Sequence, residues 1–228
     1  MRPLLHAFTR FLDLELDLRA RGLVLLAAGA LTSVYFAPLW NLTMFAPQYP
    51  DGLRLDIWSY ALVGGNGGQD LKEINVLNHY IGMRDLVAED FTEFHWLPFA
   101  VGALALLTLR AAVHGRMRDL VDVTVLMTYF SAFSLWSFGH RLWEYGHTLA
   151  PEAPVTVDGF MPPLFGSQQI ANFEVYSYPQ AASYGMGLSM LLMITAVVFG
   201  WWSHRRETVQ QAAPTGFAAR VVATEAHR

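Results

Sequence analysis

Residues 22–44 read GLVLLAAGALTSVYFAPLWNLTM, twenty-three consecutive positions without a charge. An α-helix needs about 20 apolar residues to cross a hydrocarbon core about 30 Å thick, and this run supplies them. Three later stretches do the same. Residues 95–113 are apolar from Leu97 to Leu109, residues 120–143 carry Asp122 near one end and His140 and Arg141 near the other, and residues 181–202 are uncharged. The first run follows a segment containing Asp13, Glu15 and Asp17 and outlasts the apolar core of a secretory leader, so it reads as a retained anchor. Composition points the same way: of 228 residues 54% are hydrophobic and 15% charged, with mean hydropathy +0.29, against about 25% charged in soluble domains.

The expected fold is an all-α integral membrane protein, a four-helix transmembrane bundle with an N-terminal amphipathic interfacial helix and two long extracytoplasmic loops. Residues 1–21 form the cytoplasmic amphipathic helix, with Leu5, Phe8, Leu12 and Leu16 on one face. Residues 22–204 form the membrane domain, with outer loops 46–94 and 146–180, and residues 205–228 form a flexible cytoplasmic tail. Within the first loop, the alternation from Leu53 to Leu62 reads as a short strand. Leu71, Ile74, Leu77 and Ile81 then recur at helical spacing over residues 70–83, with Gln69 or Asp70 available as N-cap. The glycines between them, residues 64–68, lack the lysine of a phosphate-binding loop, which sets nucleotide binding aside. The second loop is rich in proline and reads as extended, with an apolar centre at residues 159–167 that packs on the other loop or dips into the interface.

The charges give an orientation. Eleven arginines flank the spans on the side of the termini, and four basic residues, Arg54, Lys72, Arg84 and Arg141, lie on the other. By the positive-inside rule both termini are cytoplasmic in a bacterial inner membrane, crossed several times, and the long loops face outward. Those outer segments hold twelve carboxylates, so their formal charge is about −8 and the whole-chain value of −4 conceals a strong polarity. Such a face suits cations or a basic partner and argues against nucleic acid.

Absence of cysteine excludes disulfides, thiolate-held zinc, iron–sulfur clusters, covalently attached haem and a thiol nucleophile. Any metal falls to imidazole, thioether or carboxylate. His140, Glu144 and His147 stand at offsets of four and seven, on one helical face, a donor set suited to zinc, copper or iron. The competing reading pairs Glu144 with Arg141 and ends the helix before His147. His79 and Met83 are four apart on the expected loop helix, and an imidazole with a thioether suits copper. His95 and His140 enter their spans on the same side, where two facing imidazoles could hold a b-type haem.

Residues 45–53 (FAPQYPDGL), 70–83 (DLKEINVLNHYIGM) and 143–147 (WEYGH), leading to 162–167 (PPLFGS) and Asn172-Phe173, carry a resemblance. Across about residues 39–184 the chain resembles the small polytopic membrane proteins encoded beside nitrous oxide reductase accessory genes. The resemblance implies copper handling, or electron supply, for a periplasmic respiratory enzyme. Its partners would then be membrane lipid and periplasmic or membrane respiratory proteins. The first functional expectation is a membrane accessory protein that handles copper or supports maturation of such an enzyme, through His79, Met83, His140, Glu144 and His147. The alternatives are a haem- or quinol-linked electron-transfer subunit with His95 and His140 as haem ligands, and a structural scaffold subunit. The sequence gives no sign of a substrate pocket, so an enzyme is not expected.

Overall fold

The computed structural model describes residues 2–170 and 172–212. Four helices are long and apolar enough to cross a membrane, which makes this a multi-pass membrane protein by length and composition. It is not an all-α bundle. The two connections read as loops meet in one five-stranded antiparallel sheet, so the fold is mixed α/β.

The divergence begins at Pro38. Helix α2 (Leu18–Leu31) tightens into a 3-10 turn at Thr32–Tyr35, and the span stops there. Proline lacks the N–H a helix requires and drives the preceding residue toward extended backbone. Beyond it the apolar run becomes strand β1 (Trp40–Ala46). An apolar run bounded by proline fits strand or helix equally well by periodicity, which is why residues 22–44 read as one span. Strand β2 (Tyr49–Ile57) returns as a hairpin partner, and β3 (Leu62–Gly64) closes that edge. The second connection supplies β4 (Gly166–Ile170) and β5 (Phe173–Pro179), giving the order β3-β2-β1-β5-β4. Trp40 on the central strand stands opposite Ile57 on one side and Pro179 on the other.

The remaining helices are α1 (Arg2–Leu12), α3 (Gln69–Tyr80), α4 (Glu93–His114), α5 (Met117–His147) and α6 (Ala181–Ala212). The amphipathic helix expected over residues 1–21 is therefore interrupted: α1 stops at Leu12, and the Asp17 carboxylate accepts the Ala20 N–H at 2.9 Å to start α2. Of the tail expected from residue 205, the part to Ala212 continues α6, and residues 213–228 lie outside the described residues. The spans pack through Val24, Leu31, Val101, Leu104, Met127 and Met193, all buried. A second core joins Leu42, Leu53 and Leu55 of the sheet to Ile74 and Leu77 of α3.

Sheet and spans are bonded together at the Pro38–Leu39 junction. The Leu39 carbonyl accepts the Gln180 N–H at 2.8 Å and the Ser183 hydroxyl at 2.7 Å, while the Pro38 carbonyl accepts the Ala182 N–H at 3.1 Å. The first donors of α6, which no helical partner can satisfy, thus end on the start of β1. Helix α5, at 31 residues, is about 46 Å long, so it outreaches the hydrocarbon core.

At the opposite end Arg21 closes the last turn of α4. Its guanidinium donates to the Ala112 carbonyl at 2.8 Å and the Val113 carbonyl at 2.6 Å, beside Gly115, whose φ of +67° reverses the chain. Arg21→Ala should remove about 1–3 kcal/mol, since hydrogen bonds from a charged donor are lost, and lower the melting temperature in detergent. Arg118→Ala, breaking an exposed pair with Asp13 at 2.9 Å, should cost about 1 kcal/mol or less. Melting of Arg21→Ala at the wild-type temperature would contradict the capping role.

Candidate functional site

Between the inner face of the sheet and the sheet-side halves of α4, α5 and α6 lies a cavity of about 490 Å³. Trp40, Leu42, Met44, Leu55 and Val175 form its sheet wall; strand alternation aims these side chains inward and Asn41, Thr43 and Arg54 outward. Trp96, Phe138, Met186 and Met190 form its floor among the spans. Trp40 joins the two parts: its indole N–H donates to Ser177 Oγ at 2.8 Å, and its ring lies 5.2 Å from that of Phe138. The apolar segment at 159–167 packs on the end of α5, where the Phe160 N–H donates to the Gly146 carbonyl at 3.0 Å. A side chain at position 146 would collide with the Phe160 carbonyl.

The cavity reaches the surface between α5 and α6. Leu135 and Gly187 both line it and both are exposed, and a Cβ at Gly187 would meet nothing within 4 Å. Both residues belong to helices long and apolar enough to cross a membrane. The interior holds few polar groups, and several have no partner. The Asn78 amide nitrogen, the Tyr145 hydroxyl, the Trp58 indole nitrogen and the Ser134 hydroxyl line the cavity, each buried without a hydrogen bond. Native structures satisfy nearly all such atoms, so each exception calls for an explanation.

One charged chain borders this interior. Arg141 lies 3.5 Å from Glu93 and 3.5 Å from Glu144, and Glu144 also accepts from Arg84 at 3.2 Å. Ser137 donates to Glu93 at 2.9 Å, and Arg84 sits 4.9 Å above the Tyr145 ring. Elsewhere on α3, the Tyr49 hydroxyl donates to Glu73 and ties β2 to the helix. That bond, then one from Gln69, holds the Glu73 carboxyl below its ordinary value, and the same bond raises the Tyr49 phenol.

The sequence-predicted metal ligands do not come together. Among the described residues no group of three or more His, Asp or Glu side chains could hold a metal ion, which corrects the expectation of a copper site. Helix α5 does continue through His147, so the one-face spacing is real, but its side chains are engaged otherwise. Both Glu144 oxygens face guanidinium groups. His140 stacks between Trp136 and Trp143, with ring centroids 5.4 and 6.1 Å away. His147 stacks on Trp143 at 4.5 Å and places Nδ1 2.8 Å from the Trp143 carbonyl. His79 and Met83 are separated because α3 ends at Tyr80 and Gly82, at φ +81°, turns the chain. His79 is left exposed, whereas Met83 lines the cavity. A b-type haem is corrected as well: His95 and His140 are both exposed and neither lines the cavity.

Sequence reading passed over Trp58, Tyr145 and Ser134, because nothing in their spacing marks one cavity, and Gly187, which as a small residue in a span reads as a close-packing position, has open space beside it instead. The available signal was the density of aromatic residues around the sheet-side ends of the spans. No protein-family description matches the chain, nor does any curated protein or solved structure. The class of protein is therefore set by its own geometry, a multi-pass membrane protein with a sheet-capped apolar cavity that opens between two of its candidate spans.

Two outcomes follow. Purified wild type and a His79→Ala, Met83→Ala double variant should carry equal copper by elemental analysis; a stoichiometric copper lost in the variant would restore the loop as a ligand. Glu73 stabilises the fold above the unfolded carboxyl value, about 4.3, and loses that contribution as pH falls through its lower folded value. Tyr49→Phe should raise the Glu73 titration midpoint in NMR, and an unchanged midpoint would contradict the assigned cause.

Proposed function

We propose that this protein is a membrane accessory subunit that takes a lipophilic molecule from the bilayer and holds it beneath a sheet domain on the outer side. The observation that carries this reading is the cavity: about 490 Å³, apolar, capped by the sheet and open between α5 and α6. Ligand sites typically occupy about 300–1,000 Å³ with an apolar lining and a few placed polar groups. A protein that served as a scaffold alone would gain nothing from leaving this space unfilled, since interiors otherwise pack densely.

The charge asymmetry supports placing the sheet outside the bacterial inner membrane and the termini inside. The resemblance to proteins encoded beside nitrous oxide reductase accessory genes supplies the setting, support of a periplasmic respiratory enzyme. In that setting the acidic sheet side would meet the partner while the spans stay in lipid. The protein holds its guest and leaves the chemistry to that partner.

Native mass spectrometry of protein washed in mild detergent tests this. The wild type should retain a discrete lipophilic guest, and Gly187→Phe, which places a ring at the open mouth, should lose at least half of it. A guest-free wild type, or equal retention in both, would contradict the proposal.

A further inference from the structure

We infer that the guest is a neutral, planar lipophile bearing carbonyl oxygens, the chemistry of an isoprenoid quinone; this rests on the cavity being a binding site. The unpartnered polar atoms inside the cavity can all donate. Asn78 Nδ2 and Trp58 Nε1 can do nothing else, and the Tyr145 hydroxyl needs an acceptor for its proton. Asn78 and Tyr145 are 3% and 4% exposed, so water reaches neither freely. A buried donor left unmade is costly, and a ketone oxygen brought in on an apolar ring relieves it at little desolvation cost.

Charge argues against a phosphate headgroup. Arg141, which lines the cavity, is engaged by Glu93 and Glu144. An anion entering there would displace a carboxylate or remain without a counter-ion. Shape argues for a ring. Phe91 stacks on Tyr145 with centroids 6.0 Å apart and planes 8° from parallel, and Trp40 meets Phe138 across the cavity wall. Flat aromatic walls favour a flat guest. The mouth at Leu135 and Gly187 lies within spanning helices, which leaves an isoprenoid tail in lipid while the ring sits inside.

The test is a titration of the full chain in detergent with decylubiquinone, read by quenching of tryptophan fluorescence, since Trp40, Trp58 and Trp96 line the cavity. Dioleoylglycerol and dioleoylphosphatidylglycerol serve as competitors. Saturable quenching is expected, with the dissociation constant raised about tenfold in Tyr145→Phe and again in Asn78→Leu, and with neither competitor displacing the quinone at equal concentration. Should Asn78→Leu fail to fold, Tyr145→Phe, which removes one oxygen, decides alone. Undiminished affinity in the donor variants, or stronger binding of either competitor, would overturn the quinone assignment and leave the cavity a binding site. Binding of none of the three probes, together with no guest in native mass spectrometry, would overturn the binding function as well.

Discussion

The architecture depends on the chain leaving the helix before Pro38. Had α2 run on to Met44, the residues of β1 would lie in the membrane and the sheet would have no central strand. Instead the missing N–H of Pro38 ends the helical ladder, and the next carbonyl, that of Leu39, takes up donors from Gln180 and Ser183. One short junction therefore stops a span, starts a sheet and caps α6. Since β1 pairs with β2 from the first connection and β5 from the second, the sheet forms only when both connections are in place.

That coupling explains the cavity. The sheet's inner face is apolar because alternate residues of β1, β2 and β5 point toward the spans, and α3 covers part of it through Ile74 and Leu77. The spans rise to meet it unequally. All four spans share one core, α5 through Leu120, Val123 and Met127, and beyond the level where Thr128 meets Met190 α5 lines the cavity with Ser131, Ser134 and Phe138. The cavity's polar groups are few, and those of Asn78, Trp58, Tyr145 and Ser134 are buried without a hydrogen-bond partner.

Much of the membrane part was legible. The three later spans start and end within a few residues of the apolar runs, because a charge-free run of twenty residues has few alternatives to a spanning helix. The helix expected over residues 70–83 forms over Gln69–Tyr80, and the strand expected from Leu53 to Leu62 coincides with β2 only as far as Ile57, Leu62 opening β3 instead. The sheet as a whole was not legible. Its strands come from two connections more than a hundred residues apart, and β4, with Gln168 and Gln169 at an exposed edge, carries no alternation to read. The metal reading failed for a different reason. Helical spacing placed His140, Glu144 and His147 on one face correctly, but spacing says nothing about neighbours, and Arg84, Trp136 and Trp143 occupy the positions a metal would need.

Density in the cavity is the most direct measure of the central claim that this space holds a lipophile. In an experimental map of the protein purified from its own membrane in mild detergent, continuous elongated density should run from the mouth between Leu135 and Gly187 to the Tyr145 hydroxyl. A cavity collapsed by rearranged side chains, or one holding separate solvent peaks alone, would contradict it.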